Sequence, residues 1–279
     1  MARLPRFFVP GQPLHIIQRG NNREPIFASD DDYRFYLECL QDAADAQGLV
    51  IHAYVLMTNH VHLLASPESE TSPPKTLQSV GRRYVQYFNH TYDRTGTLWE
   101  GRYKATLIDA ESYLLTCMRY IEMNPVRAAM VDDPAHYRWA SYRANALGQA
   151  SDLLVPHLLY LGLGGDDAAR RQAYRALFLP HLELSAIDDI RLALNQSQPL
   201  GDSRFHGMIE RAVGERRANG DQGRAAHRAV VVRHVTPSRR RREGRPRRVR
   251  RRPAPAGHGG ERPPTSRPSR APRRRRRAA

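Results

Sequence analysis

Cysteine is scarce. Cys39 and Cys117 are the only two in 279 residues, too few for a disulfide framework or a cysteine-rich zinc site. Long apolar runs are absent as well. No stretch reaches the roughly 18 consecutive apolar residues that a membrane-spanning helix needs. The segment Met1 to Pro10 lacks the apolar centre of a secretory signal. These absences lead us to expect a cytoplasmic protein in a reducing compartment, with no membrane partner.

Charge is plentiful but unevenly placed. The formal net charge is +16. The segment from Val231 to Ala279 holds nineteen arginines, no lysine and two acids, Glu243 and Glu261, for a net of +17. The other 230 residues are therefore nearly neutral. A polycation with eight prolines and little apolar content cannot offset the entropy of folding, so the tail reads as disordered. It would meet nucleic acid through phosphate neutralisation, without sequence preference. Two blander origins compete: a solvated extension, or out-of-frame translation of GC-rich DNA. The tail therefore carries none of the functional argument.

The rest of the chain alternates strand and helix patterns. Leu14 to Arg19 reads as a strand broken by Gly20-Asn21-Asn22. Ser29 followed by three aspartates is helix N-cap chemistry. That helix places Tyr33, Tyr36, Leu37, Leu40 and Ala44 at helical spacing and stops at Gly48. Two strands follow, Leu49 to Leu56 and the run through His60 and His62, joined by a turn at Thr58-Asn59. A second helix from Lys75 carries Leu77, Val80, Tyr84, Tyr87 and Phe88 on one stripe. Arg102 to Ile108 reads as a fourth strand, and a third helix from Ala110 to Met123 is stopped by Pro125. The order βαββαβ followed by a helix gives an α+β, ferredoxin-like antiparallel sheet. We divide the chain into a catalytic domain at 1–148, a helical appendage at 149–217 and the basic tail at 218–279.

The chemistry concentrates in His60-Val61-His62. In a strand, residues two apart share a face, so the imidazoles project side by side while Val61 points the other way. Such a pair often is only two polar residues, but here it sits in a hairpin of β-rich sequence. Further on, Tyr120 and Asn124 share a helix face in Tyr120-Ile121-Glu122-Met123-Asn124-Pro125. A metal-gripping histidine pair with a helical tyrosine suggests phosphodiester chemistry with a tyrosine nucleophile. Tyr113 is on the same helix, but four residues after it stands Cys117 rather than an asparagine, a poor ligand for a hard cation.

Taken together, the motifs resemble those of the REP-associated tyrosine transposases, a branch of the single-tyrosine transposases with a His-apolar-His signature (REP standing for repetitive extragenic palindrome). The matching segments are His60-Val61-His62, Thr97 to Lys104, Tyr120 to Arg127 and Arg138-Trp139-Ala140-Ser141-Tyr142. The resemblance implies a nucleoid-associated bacterial enzyme, monomeric or homodimeric, that cuts and rejoins single-stranded hairpin DNA. Tyr120 would form a 5′-phosphotyrosine. His60, His62 and Asn124 would hold one divalent ion. Imidazole pairs favour zinc and later transition metals, whereas the resemblance implies Mg2+ or Mn2+. Two rival readings remain: a domesticated, non-catalytic hairpin binder, and a hydrolase that works through water and leaves Tyr120 dispensable.

DNA contacts are expected from Arg102 and Lys104, alternating outward on the fourth strand, and from the polar loop Arg19, Asn21, Asn22 and Arg23. Arg82 and Arg83 are further cationic candidates. Tyr84, Tyr87, Trp99 and Trp139 read as packing residues.

Overall fold

The computed structural model describes residues 8–179, 182–212 and 214, all of them in one compact unit. The basic tail assigned from the sequence lies outside the described residues. Strands β1 (Leu14–Arg19), β2 (Leu49–Met57), β3 (His60–Pro67) and β4 (Lys104–Leu107) form one sheet in the order β2-β3-β1-β4, with every neighbouring pair antiparallel. Helix α1 (Asp30–Gln47) connects β1 to β2, and α2 (Ser72–Thr91) connects β3 to β4. This is the expected βαββαβ arrangement.

Local chemistry sets the element ends. Asp32 Oδ2 accepts from the backbone N–H groups of Ala28 and Ser29 at 2.7 and 2.9 Å, satisfying donors at the start of α1. Gly48 closes α1 in the left-handed region at φ 65°, where a Cβ would also run into Glu68. Helix α2 begins three residues before the expected Lys75, because Pro73 and Pro74 fill first-turn positions where a missing N–H costs nothing.

Alternation divides the sheet into two faces. Leu14, Ile16, Leu56, Val61, Leu63 and Leu107 join the apolar cluster that includes Tyr36, Leu40, Val80, Tyr84 and Phe88 from α1 and α2. The other face carries Ala53, Val55, Met57 and Leu64, together with His15, His60 and His62 by register. Helix α3 (Ala110–Glu122) covers that face through Leu114, Cys117, Met118 and Ile121. Two later helices, Asp167–Ala176 and Leu184–Gln196, contribute Tyr174, Ile187, Ile190 and Leu194 to the same cluster.

The third helix stops before Pro125, as expected: α3 ends at Glu122. A separate short turn of helix, α4 (Asn124–Arg127), follows with Pro125 in its first turn. One expectation is corrected. Arg102 is not part of the fourth strand, which begins at Lys104. The preceding residues instead run beside the end of β1, where Asn21 N–H donates to Leu98 O at 2.9 Å and Glu100 N–H to Arg19 O at 3.0 Å.

The segment after α4 returns along the β2 edge. Leu56 N–H donates to Trp139 O at 2.9 Å, and Val155 N–H to Ile51 O at 2.9 Å. Edge backbone groups that would otherwise be unpaired are thereby satisfied. No helix among the described residues is long and apolar enough to cross a membrane.

Candidate active site

The antiparallel register places His60 opposite Arg19 and Met57, and His62 opposite Ile17 and Val55. Both imidazoles therefore stand on one sheet face, with ring centroids 5.1 Å apart. Helix α3 lies over that face and brings Tyr120 to it. The Tyr120 ring meets His62 edge-on with centroids 5.9 Å apart. Two residues of a β-hairpin and one of a helix sixty positions later thus converge, as the sequence led us to expect.

Asn124 stands one turn beyond Tyr120. Its side-chain Nδ2 donates to the carbonyl of Tyr120 at 3.0 Å and to that of Ile121 at 3.3 Å. With the amide nitrogen committed to the end of α3, Oδ1 is the side-chain atom left for an electrophile or a cation. The ring nitrogens divide in the same way. His60 Nδ1 lies 2.7 Å from Asn59 Oδ1, and His62 Nδ1 lies 2.9 Å from His15 Nε2. Each histidine of the pair has its Nδ1 engaged, which leaves Nε2 as the donor atom for a metal. By donor type, two imidazole nitrogens and one amide oxygen are ligands that a divalent ion accepts. Among the described residues, no group of three or more His, Cys, Asp or Glu side chains is placed to hold a metal, so an ion here would depend on Asn124 and on phosphate or water oxygens for its remaining ligands.

Burial keeps the imidazoles neutral, the form that ligates. His60 is pushed down to about 4, first by burial and then by the charge of Arg19. His62 is held well below the usual histidine range, by burial first and by its imidazole neighbours next.

Two residues that the sequence reading did not assign to the site belong to its surroundings. Arg127 places its guanidinium carbon 4.2 Å from the centroid of the Tyr120 ring and donates from Nη2 to the Tyr120 carbonyl. Its Nη1 is buried and has no hydrogen-bond partner among the described residues, and burial lowers the guanidinium to about 10. His15, on β1, is fully buried and packs edge-on against Tyr120 at 5.7 Å between centroids. Arg127 was visible inside the quoted Tyr120-to-Arg127 motif. The signal for His15 was its place on the same strand face as Ile17 and Arg19.

Glu122 anchors α3 at its C-terminal end. It is fully buried and accepts from Ser141 Oγ, Asn145 Nδ2 (2.8 Å) and Tyr174 OH (2.7 Å). Burial raises its carboxyl to about 7, and the three donors hold it back from going higher.

The expected DNA contacts fall in different places. Arg19 is opposite His60, and the loop after it folds against the hairpin turn: Gly20 N–H donates to Asn59 O at 2.8 Å, and Asn59 Nδ2 donates to Arg23 O at 3.0 Å. A Cβ at Gly20 would collide with the Glu24 carbonyl and with Ile26, so the close approach requires glycine. Asn21, Asn22 and Arg23 thus stand beside the His60 end of the sheet, with Asn22 and Arg23 exposed. Lys104 shares the histidine face by register with Ile17, is exposed, and donates to Asn195 Oδ1 at 3.2 Å. Arg102 is exposed just before β4. Arg82 and Arg83 are exposed on α2, which packs on the opposite sheet face, and Arg83 pairs with Asp42 at 2.8 Å. The aromatics pack as expected: Tyr84 is fully buried, and Trp139 stacks on Tyr33 with centroids 4.6 Å apart.

With that geometry in place, residues 9–124 match the model of a protein family described as "Transposase IS200 like". The match spans less than half of the chain, and over it the chain is similar to IS200-like transposases. The matched span begins before β1 and ends on Asn124, so it contains His60, His62 and Tyr120. Among solved structures, a REP-associated tyrosine transposase bound to a REP hairpin is 16% identical, with 57% of this chain and 93% of that one covered at a TM-score of 0.43. A putative transposase from Deinococcus radiodurans R1 is 20% identical, covers 43% of this chain and 96% of its own, and has a TM-score of 0.30. The comparison with curated proteins finds no match.

Proposed function

We propose that this chain is an IS200-like transposase that cuts and rejoins single-stranded DNA through a covalent bond to Tyr120, with hairpin-forming repetitive extragenic palindromes as its targets. The observation that carries the reading is the convergence of Tyr120 with His62 across the sheet, centroids 5.9 Å apart, above a histidine pair whose Nε2 atoms are left for a ligand. The hairpin class of target rests on the motif resemblance in Tyr120 to Arg127 and Thr97 to Lys104.

In the proposed step, Tyr120 Oη attacks a backbone phosphorus. A new P–O bond to tyrosine forms as the bond to the 3′ oxygen breaks. The phenol gives up its proton, and the leaving oxygen ends as a 3′-OH. The phosphodiester energy is kept in the 5′-phosphotyrosine, so attack by a 3′-OH reverses the step without ATP. Mg2+ or Mn2+ bound by His60, His62 and Asn124 would polarise the scissile phosphate and offset its developing charge.

The chain's own groups position the reactants. Arg127 holds the Tyr120 backbone and ring and brings an uncommitted N–H to the site, suited to a phosphate oxygen. Arg19 and the loop to Arg23 border the His60 end and would meet the DNA backbone there. The test is to incubate the protein with labelled single-stranded hairpin DNA and Mn2+, and to look on a denaturing gel for a protein–DNA adduct. An adduct supports the tyrosine mechanism. Nicking without one favours a hydrolase that uses water, and binding without nicking favours the non-catalytic binder.

A further inference from the structure

His15 takes no part in the chemistry above, yet it is the fully buried partner of a residue that does. It opposes Leu64 across β1 and β3, which makes it the diagonal neighbour of His62 on the same face. Its Nε2 lies 2.9 Å from His62 Nδ1. A contact between two neutral imidazoles works in only one of two ways, because exactly one of the two nitrogens carries the shared proton.

His60 shows which way the site is arranged. Asn59 donates its Nδ2 to the Arg23 carbonyl, so its Oδ1 is the atom that accepts from His60 Nδ1–H at 2.7 Å. His60 Nε2 is then a bare lone pair. A metal held by the pair asks the same of His62: the proton on Nδ1, the lone pair on Nε2. His15 must then accept through Nε2 and carry its own proton on Nδ1. That Nδ1 is buried without a hydrogen-bond partner among the described residues. Thr106, directly opposite His15 on β4, makes no hydrogen bond to it; its hydroxyl donates to the Ala193 carbonyl at 3.2 Å. The opposite arrangement, His15 Nε2–H donating to His62 Nδ1, would place the proton on His62 Nε2 and close that atom to a metal.

We propose that His15 is a positioning residue that accepts the Nδ1–H of His62 and so holds His62 in the one tautomer able to ligate a metal through Nε2. It acts only through His62 and Tyr120, whose ring packs edge-on against both imidazoles at 5.7 and 5.9 Å. The inference rests on the metal reading under Proposed function.

The test combines two measurements on the full chain. Long-range nitrogen–proton NMR of the Mg2+-loaded, isotope-labelled protein reads the tautomers directly; the expected result is a proton on Nδ1 of both His62 and His15. Mn2+ binding, followed by electron paramagnetic resonance of the free ion, is compared for wild type, His15→Leu and His15→Gln. His15→Leu is expected to weaken Mn2+ affinity by about 10–100-fold. His15→Gln restores an accepting oxygen and is expected to recover most of that loss. A Mg2+-loaded His62 protonated on Nε2, or unchanged Mn2+ affinity in His15→Leu, overturns the inference while leaving the metal site intact. A wild-type protein that binds no Mn2+ removes the metal reading and this inference with it. Should His15→Leu fail to fold, the wild-type tautomers decide alone.

Discussion

Arg127 holds Tyr120 twice: its guanidinium carbon lies 4.2 Å from the centroid of the Tyr120 ring, and its Nη2 donates to the Tyr120 carbonyl. The grip exists because the separate helical turn α4, just after the end of α3, brings a residue seven positions later back to the tyrosine. One cation therefore fixes the height and tilt of the ring that faces His62.

Replacing that cation tests its share. Arg127→Met keeps the length and loses the charge and the fork. We expect adduct formation to slow by about tenfold or more, which corresponds to about 1.4 kcal/mol or more of transition-state stabilisation. Arg127→Lys should recover only part, since an ammonium cannot hold ring, carbonyl and phosphate together. The measurement is the single-turnover rate of adduct formation. Equal rates in all three proteins would remove Arg127 from the mechanism.

Tyr120→Phe deletes one hydroxyl and keeps the ring against His15, His62 and Arg127. Covalent adduct should vanish, while hairpin affinity stays close to wild type and stability changes by about 1 kcal/mol or less. Gel assay, binding isotherm and urea denaturation report the three quantities. Nicking at the wild-type rate would transfer the chemistry to water.

Glu122→Ala strips the acceptor from Ser141, Asn145 and Tyr174 at once. Three donors are left in a buried space, a change that typically costs about 3 kcal/mol or more. Urea denaturation should show that loss. Wild-type stability in the variant would mean that α3 does not depend on this anchor.

His52 makes stability depend on pH. Its Nδ1 lies 2.7 Å from the Val155 carbonyl and its Nε2 lies 2.9 Å from Ser66 Oγ, so it is built in as a neutral donor and acceptor. Burial lowers it to about 4, against an ordinary 6.5 when unfolded. The unfolded chain thus takes up the proton first as pH falls. Stability from this group is fully present above pH 6.5 and drains away as pH drops toward 4, by up to about 3 kcal/mol at 1.36 kcal/mol per unit. His52→Asn should flatten part of that decline. Parallel pH profiles of the melting temperature for variant and wild type would contradict it.

What could be read in the sequence was what local periodicity encodes. Alternation alone placed His60 and His62 on one face, and helical spacing put Tyr120 and Asn124 one turn apart. The antiparallel sheet followed from the βαββαβ pattern. Contacts fixed by long-range pairing were not legible. His15 reaches His62 only through the β1–β3 register, which a strand pattern does not state. Arg127 stood in plain view, but its place beside Tyr120 depends on the separate turn α4 that follows the end of α3, and the sequence reading had no element there. Arg102 was assigned to a strand that begins two residues later, because the pairing of Glu100 with Arg19 draws the preceding segment to β1 instead of into the β4 ladder.

The central claim is that Tyr120, and no other residue, becomes bonded to DNA. Trypsin should cut after Arg119 and Arg127 and release Tyr120 to Arg127 as a peptide with a single tyrosine, while Tyr113 leaves in the separate peptide from Ala105 to Arg119. After reaction with hairpin DNA and Mn2+, nuclease trimming and digestion, mass spectrometry should find the nucleotide mass on the Tyr120 peptide alone. A modified Tyr113 peptide, or a nicked substrate with neither peptide modified, would contradict the account.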